Sequence, residues 1–346
     1  MNADSSRCAR RDFLDALAVA SLSAAAGSIE LFAAEPEQKR DVDEPGPIRR
    51  RYTYKKVGTL EIKADVYLPA AQSHGETHKW PVLFWIHGGA LIMGDRGGID
   101  RRLKPLLLKR GYAIVSIDYR LAPETKLPAI IDDLRDAWTW LHAEGPKLFN
   151  VDTQRVAVAG GSAGGYLTLM SGFCVKPRPA ALVSFWGYGD IAGDWYIKPS
   201  AFYRQQPLVS QEDAWKGVKG PAVTDRRRAD RGPGRFYLFC RQQGLWTTNV
   251  AGIDPRTQDQ ALTPYCPVRN VTKDYPPTLL IHGTRDTDVP FEQSVQMDKE
   301  LTRVGVEHQL ILVPNAGHGL PGGDPKKIAA AYETARDFVN RHLTGH

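Results

Sequence analysis

Between residues 60 and 68 apolar and polar positions alternate, with Leu60, Ile62, Ala64, Val66 and Leu68 falling on one side. A period of two predicts a half-buried strand. Further along the pattern changes to continuous apolar runs at 82–86, 113–117, 156–159, 181–186, 278–281 and 310–313. Strands covered on both faces read this way, so the runs predict a parallel sheet between helix layers. The intervening segments supply those layers. Ile130, Ile131, Leu134, Ala137, Trp138 and Leu141 recur at helical spacing, with Asp132, Asp133, Arg135 and Asp136 expected to point away. Ile328, Tyr332, Ala335, Phe338 and Val339 repeat the pattern near the end. The fold class is α/β: a mostly parallel central sheet with helices on both faces.

Two regions depart from this rhythm. Residues 187–275 contain few clean strands, many aromatics and prolines, and arginines at 226–228, 231 and 235. A structureless loop of that length does not fit a compact domain, so an inserted cap with its own helices is expected. Trp195, Trp215, Phe236, Tyr237 and Trp246 are candidates to line a pocket there, and most are expected instead to form the cap's own core. The second region is the amino terminus. Ala9-Arg10-Arg11-Asp12-Phe13-Leu14 resembles a twin-arginine export motif, and a mild alanine-rich run follows at 16–27. The run is shorter and less apolar than the roughly 20 residues a membrane span needs, so no stable span is expected. Residues 1–34 read as an export signal, 35–47 as a linker, and 35–346 as the folded domain with 187–275 inserted. Recognition by the twin-arginine machinery would make this a periplasmic or secreted bacterial protein. In such a compartment Cys240 and Cys266 could form one bridge, and free thiols at Cys174, Cys240 and Cys266 are equally compatible.

Charge changes this picture little. The chain of 346 residues has 45 Lys and Arg against 39 Asp and Glu, a net charge of +6. No helix-turn-helix, zinc or base-stacking signature accompanies the basic excess, so nucleic acid is not an expected partner. No Cys-x-x-Cys or His-Glu-x-x-His pair occurs, and no metal or cofactor is expected.

The candidate chemistry lies in the loops that follow the apolar runs. Gly160-Gly161-Ser162-Ala163-Gly164-Gly165 stands between an expected strand and the helix-compatible Tyr166-Leu167-Thr168-Leu169-Met170. A strand, a sharp glycine-flanked turn and a helix make a nucleophile elbow, which lifts a serine hydroxyl clear of the sheet. A serine needs a base to take its proton. Asp286 follows the run ending in Ile281-His282-Gly283, and His318 follows the last run within Pro314-Asn315-Ala316-Gly317-His318-Gly319. His318 would take the Ser162 proton, and Asp286 would hold the imidazole tautomer. Asp286 and Asp288 are two residues apart and face opposite ways in an extended loop, so only one of them is expected to reach His318. Asp288 is expected to cap the helix beginning near Val289-Pro290. His87-Gly88-Gly89-Ala90 follows the 82–86 run, where amides can cradle an oxyanion. His87 and His282 precede glycines at strand ends and are expected to orient loops.

Together with Asp118-Tyr119-Arg120-Leu121-Ala122-Pro123-Glu124 and His282-Gly283-Thr284-Arg285-Asp286, these motifs resemble the hormone-sensitive-lipase-like and feruloyl-esterase-like α/β-hydrolases. The resemblance spans about 57–186 and 275–343. It implies a metal-independent serine carboxylic-ester hydrolase with Ser162, Asp286 and His318 as its triad. It also implies oxyanion donors at Gly89, Ala90 and Ala163, and a structural role for 118–124. Small-molecule esters or acylated carbohydrates would be the substrates, with acetyl or aromatic acyl groups on polysaccharides as candidates. An amidase, formamidase or peptidase of the same mechanism is the nearest alternative, and an inactive binding protein of this fold a more distant one. Two features depart from the family pattern: Ala90 stands where many relatives have a third glycine, and 187–275 is not assigned to a family motif.

Overall fold

The computed structural model describes residues 47–69, 79–225 and 234–344. The export motif and most of the linker lie outside these residues, as do Arg226, Arg227, Arg228 and Arg231.

Eight strands form one sheet in the order β1-β2-β4-β3-β5-β6-β7-β8. They are β1 (Ile48–Val57), β2 (Leu60–Leu68), β3 (Trp80–Ile86), β4 (Ala113–Ile117), β5 (Val151–Gly161), β6 (Ala181–Phe185), β7 (Thr278–Gly283) and β8 (His308–Val313). The pairs β1–β2 and β2–β4 are antiparallel, and every other pair is parallel. The helices before β6 are α1 (Leu103–Leu108), α2 (Leu127–Phe149) and α3 (Ala163–Cys174), and among the described residues four more lie between β6 and β7. These are α4 (Asp194–Ile197), α5 (Gln211–Lys216), α6 (Gly234–Gln243) and α7 (Trp246–Ala251), and the chain closes with α8 (Glu292–Val304) and α9 (Pro325–Thr344).

The continuous apolar runs bury both sheet faces, as their pattern requires. Val82, Phe84 and Ile86 pack with Val115 and Val158 beneath Leu134, Trp138, Leu167 and Met170 of α2 and α3. Their neighbours Leu83 and Trp85 face the other way, with Ile114, Ala157, Leu103 and Leu107, against Tyr332 and Phe338 of α9. The mutually parallel strands β4, β3, β5, β6, β7 and β8 all end on one edge, where the loops that follow them emerge.

Two expectations are corrected. Asp133 does not point to water. It is fully buried and accepts from the Lys55 ammonium at 2.7 Å and from Arg120 Nε and Nη2 at 2.7 Å each. Position 133 borders the apolar stripe of α2, so a carboxylate there turns inward only because two cations meet it. The strand β1 was not expected from its basic sequence. It is an edge strand whose exposed arginines mask the alternation of Tyr52 and Tyr54, both packed on Trp140. Tyr54 also donates to the Asp118 carbonyl at 2.6 Å. Arg120 and Asp118 therefore brace the sheet edge, and Asp118 is paired with Arg96.

Candidate active site

Ser162 sits between β5 and α3 with φ 57° and ψ −122°. A non-glycine residue in this region stores strain and marks a position that the surrounding structure over-determines. The restraints are visible. Ser162 N donates to the Phe185 carbonyl at 2.9 Å, and the Ser162 carbonyl accepts from Tyr166 N at 2.9 Å, starting the helix. Gly164 lets α3 run close under β3, since a Cβ there would collide with the Ile86 carbonyl. The amide of Ala163, the first residue of α3, has no carbonyl four residues earlier within the helix.

The loop after β3 lies against this turn. A Cβ on Gly88 would stand 2.7 Å from the Gly161 carbonyl oxygen and 3.3 Å from Ser162 Cβ, so only glycine permits the approach. Gly89, Ala90 and Leu91 all have positive φ, at 109°, 55° and 61°. The Gly89 carbonyl is occupied by the amides of Ile92 and Met93 at 2.9 Å each, which turns the loop tightly. From the cap, Trp246 Nε1 donates to the Ala90 carbonyl at 3.1 Å. His87 stacks on Tyr119 at 4.2 Å and 8°, and Tyr119 donates to the His87 carbonyl at 2.9 Å. Burial lowers the His87 pKa to about 4, so its imidazole is neutral and serves the loop rather than proton transfer.

On the far side of the turn, His318 Nδ1 is 2.7 Å from Asp286 Oδ2. Asp286 is itself braced: Oδ1 accepts from the amides of Asp288 and Val289 at 2.9 Å each, and Oδ2 is 3.3 Å from His282 Nε2. His282 is anchored in turn by Ser294 Oγ and the Val289 carbonyl. Burial raises the Asp286 pKa, but the hydrogen bonds and charges of His282 and His318 outweigh it and hold the carboxyl well below the usual range. Burial lowers the His318 pKa, and the charge of Asp288 with the bond and charge of Asp286 more than reverses that. Trp186 links the two sides. Its indole packs on Gly161 and meets His318 edge-on at 6.3 Å between ring centres. Among the described residues no hydrogen bond joins Ser162 Oγ to His318.

The expected division between the two aspartates is corrected here. The carboxylate that collects loop amides is that of Asp286, not Asp288, because the tight turn aims its Oδ1 at the two amides that follow. Asp288 instead lies 3.5 Å from His318 Nε2 through Oδ2, so the loop wraps the imidazole and both carboxylates reach it. Its Oδ1 accepts from Tyr203 at 2.8 Å, from Tyr237 and from Arg241 Nη1 at 3.2 Å. Tyr203 and Arg241 gave no sequence signal, since they lie in a cap without periodic pattern. Asp288 lies in the carboxylate-rich loop, and its partner is His318 rather than the helix amides.

The cap aromatics divide by burial. Trp246 and Phe236 are fully buried, and Trp246 stacks on Tyr196 at 4.0 Å. Trp195, Trp215 and Tyr237 are half-buried. Cys174, Cys240 and Cys266 are free thiols. Among the described residues no group of three or more His, Cys, Asp and Glu side chains could hold a metal ion, and no helix is long and apolar enough to cross a membrane.

Comparison with known proteins agrees with this architecture. Residues 83–321 match the family model Abhydrolase_3, described as alpha/beta hydrolase fold. The non-reducing polyketide synthase adrD of Penicillium rubens is 29% identical over 339 residues. That match covers 84% of this chain, which spans only 13% of the relative's length. A Staphylococcus aureus protein of unknown function superposes with TM-score 0.67 at 20% identity, over 86% of this chain and 99% of the other. Carboxyl esterase 2 of the mycorrhizal fungus Tuber melanosporum gives TM-score 0.59 at 20% identity, over 86% and 88%. The chain belongs to the alpha/beta hydrolase fold family.

Proposed function

We propose that this protein is a serine carboxylic-ester hydrolase that works through an acyl-enzyme on Ser162. The observation that carries the reading is the Asp286–His318 pair at 2.7 Å, on the same sheet edge as a serine held at φ 57°. In the first half-reaction Ser162 Oγ gives its proton to His318 Nε2 and attacks the ester carbonyl carbon. The carbonyl oxygen becomes an oxyanion, for which the amides of Gly89, Ala90 and Ala163 are the donors. The tetrahedral intermediate collapses, His318 returns the proton to the leaving alcohol, and the acyl group stays on Ser162. Water repeats the sequence and frees the acid. Asp286 fixes the tautomer with Nδ1 protonated and stabilises the imidazolium. Catalytic hydrogen bonds are often long before substrate arrives, which accommodates the absence of a Ser162–His318 bond.

Residues 187–275 act in this reading as a cap over the sheet edge, with half-buried Trp186 and Trp195 facing the acyl or alcohol group. Small acyl esters, including acetyl and aromatic acyl esters of carbohydrates, are the substrates proposed. The Arg10-Arg11 motif supports twin-arginine export to the periplasm or beyond. Hydrolysis of a graded series of acyl esters and one anilide by the purified protein tests the reading. Turnover of short acyl esters and little anilide cleavage is expected. Anilide cleavage alone would replace the esterase with an amidase.

A further inference from the structure

Building on the esterase reading, we infer that Asp288 is a second positioning carboxylate for His318, held in place by Tyr203, Tyr237 and Arg241 of the cap, so that the cap and the imidazole are mechanically and electrostatically one unit. The geometry is specific to each oxygen of the carboxylate. Oδ1 takes the Tyr203 hydroxyl at 2.8 Å, the Tyr237 hydroxyl and Arg241 Nη1 at 3.2 Å, while Oδ2 faces His318 Nε2 at 3.5 Å. A carboxylate that served only to fasten the cap would have no reason to keep one oxygen on the imidazole edge that receives the serine proton.

The guanidinium makes the same point from the other side. Arg241 is 3% exposed. It lies 5.0–5.8 Å from the ring centres of Trp195, Tyr196, Tyr203 and Tyr237, and its Nη1 also donates to the Asp288 carbonyl at 2.9 Å. Its Nε is buried without a hydrogen-bond partner. Burying a cation in an aromatic box is costly unless a paired anion repays it. Asp288 is that anion, and the pair is thereby fixed beside His318.

The charges close around the imidazole. Asp286 and Asp288 are negative, Arg241 is positive, and Tyr203, Tyr237 and the His282 ring complete the surroundings of the two carboxylates. With His318 neutral, the two aspartates and Arg241 leave one net negative charge. When Ser162 transfers its proton, His318 becomes cationic and the sum is zero. The cluster is thus complementary to the imidazolium formed during the reaction, not to the resting imidazole. The raised His318 pKa agrees: burial opposes the charge, and Asp288 is the first of the groups that favour it. Neutral His318 is the form that accepts the proton, so activity falls as pH drops through this raised value.

The test follows the His318 Cε1 proton by NMR titration alongside the acid limb of kcat/KM on a short acyl ester, in the wild type, Asp288→Asn and the Tyr203→Phe/Tyr237→Phe pair. Asp288→Asn is expected to move both readouts to lower pH by about one unit or more, with a lower melting temperature as Arg241 loses its paired charge. The tyrosine pair should move them in the same direction by less, because the carboxylate is no longer held. If Asp288→Asn does not fold, Asp288→Ser carries the same prediction. An unmoved titration in the aspartate variants overturns the inference, and an effect of Asp288 without any effect of the tyrosine pair overturns the coupling to the cap. A His318 titration that shifts in the variants as expected, in a protein that hydrolyses no ester, would overturn the esterase reading and leave the carboxylate's action on His318 established.

Discussion

Ser162 and Asp288 are held by different means. Around Ser162 the restraints are main-chain: the Phe185 carbonyl, the start of α3, and two glycines where strands and loops touch. Around Asp288 they are side chains from a distant part of the sequence: two phenols and a guanidinium. Backbone restraints leave the nucleophile little freedom and little tolerance for change. Side-chain restraints can be altered singly without unfolding the sheet. The contrast separates a fixed chemical centre from an adjustable surround, and each side fails differently when broken.

The largest effect is expected on the fixed side. Ser162→Ala should lower kcat by about 10⁶ while leaving the melting curve intact, since it removes the nucleophile and relieves nothing else. Asp286→Asn comes next, with kcat lower by up to ~10⁴ as the wrong His318 tautomer is favoured. Both are measured by steady-state kinetics on one short acyl ester. Equal losses of stability would mean that these residues serve the fold first.

On the cap side the expected losses are smaller and of two kinds. Trp246 is wholly buried and holds the Ala90 carbonyl, so it is not an adjustable pocket wall. Trp246→Ala should cost about 3–5 kcal/mol in chemical denaturation, the range for emptying a large aromatic site. A loss confined to acyl preference would return it to the pocket. Trp195 is half-buried over Arg241. Trp195→Ala should change the ratio of kcat/KM between long and short acyl esters by roughly tenfold, with the short ester nearly unaffected.

The contrast also explains what the chain disclosed by inspection. Main-chain devices need particular residues at particular offsets, so Gly88, Gly164 and Ser162 stood out, as did the apolar runs that became β3 to β8. Asp286 and His318 follow strands in sequence, and their pairing was legible from chain order. The Asp288 cluster depends on Tyr203, Tyr237 and Arg241, which lie 47 to 85 residues before it in sequence and meet it only in the folded chain. No period or spacing encodes that meeting. Asp133 and β1 depart from the pattern for a related reason: Lys55 and Arg120 neutralise a carboxylate that pattern alone assigns to solvent, and an edge strand rich in arginine conceals its inward tyrosines.

The central claim is that Ser162 carries the acyl group. Reaction with a serine-directed organophosphorus ester followed by intact-mass and peptide mass spectrometry tests it most directly. One adduct per chain on the peptide containing Ser162, lost in Ser162→Ala together with ester turnover, is the result expected. An adduct that persists in Ser162→Ala, or ester hydrolysis that survives it, would contradict the account.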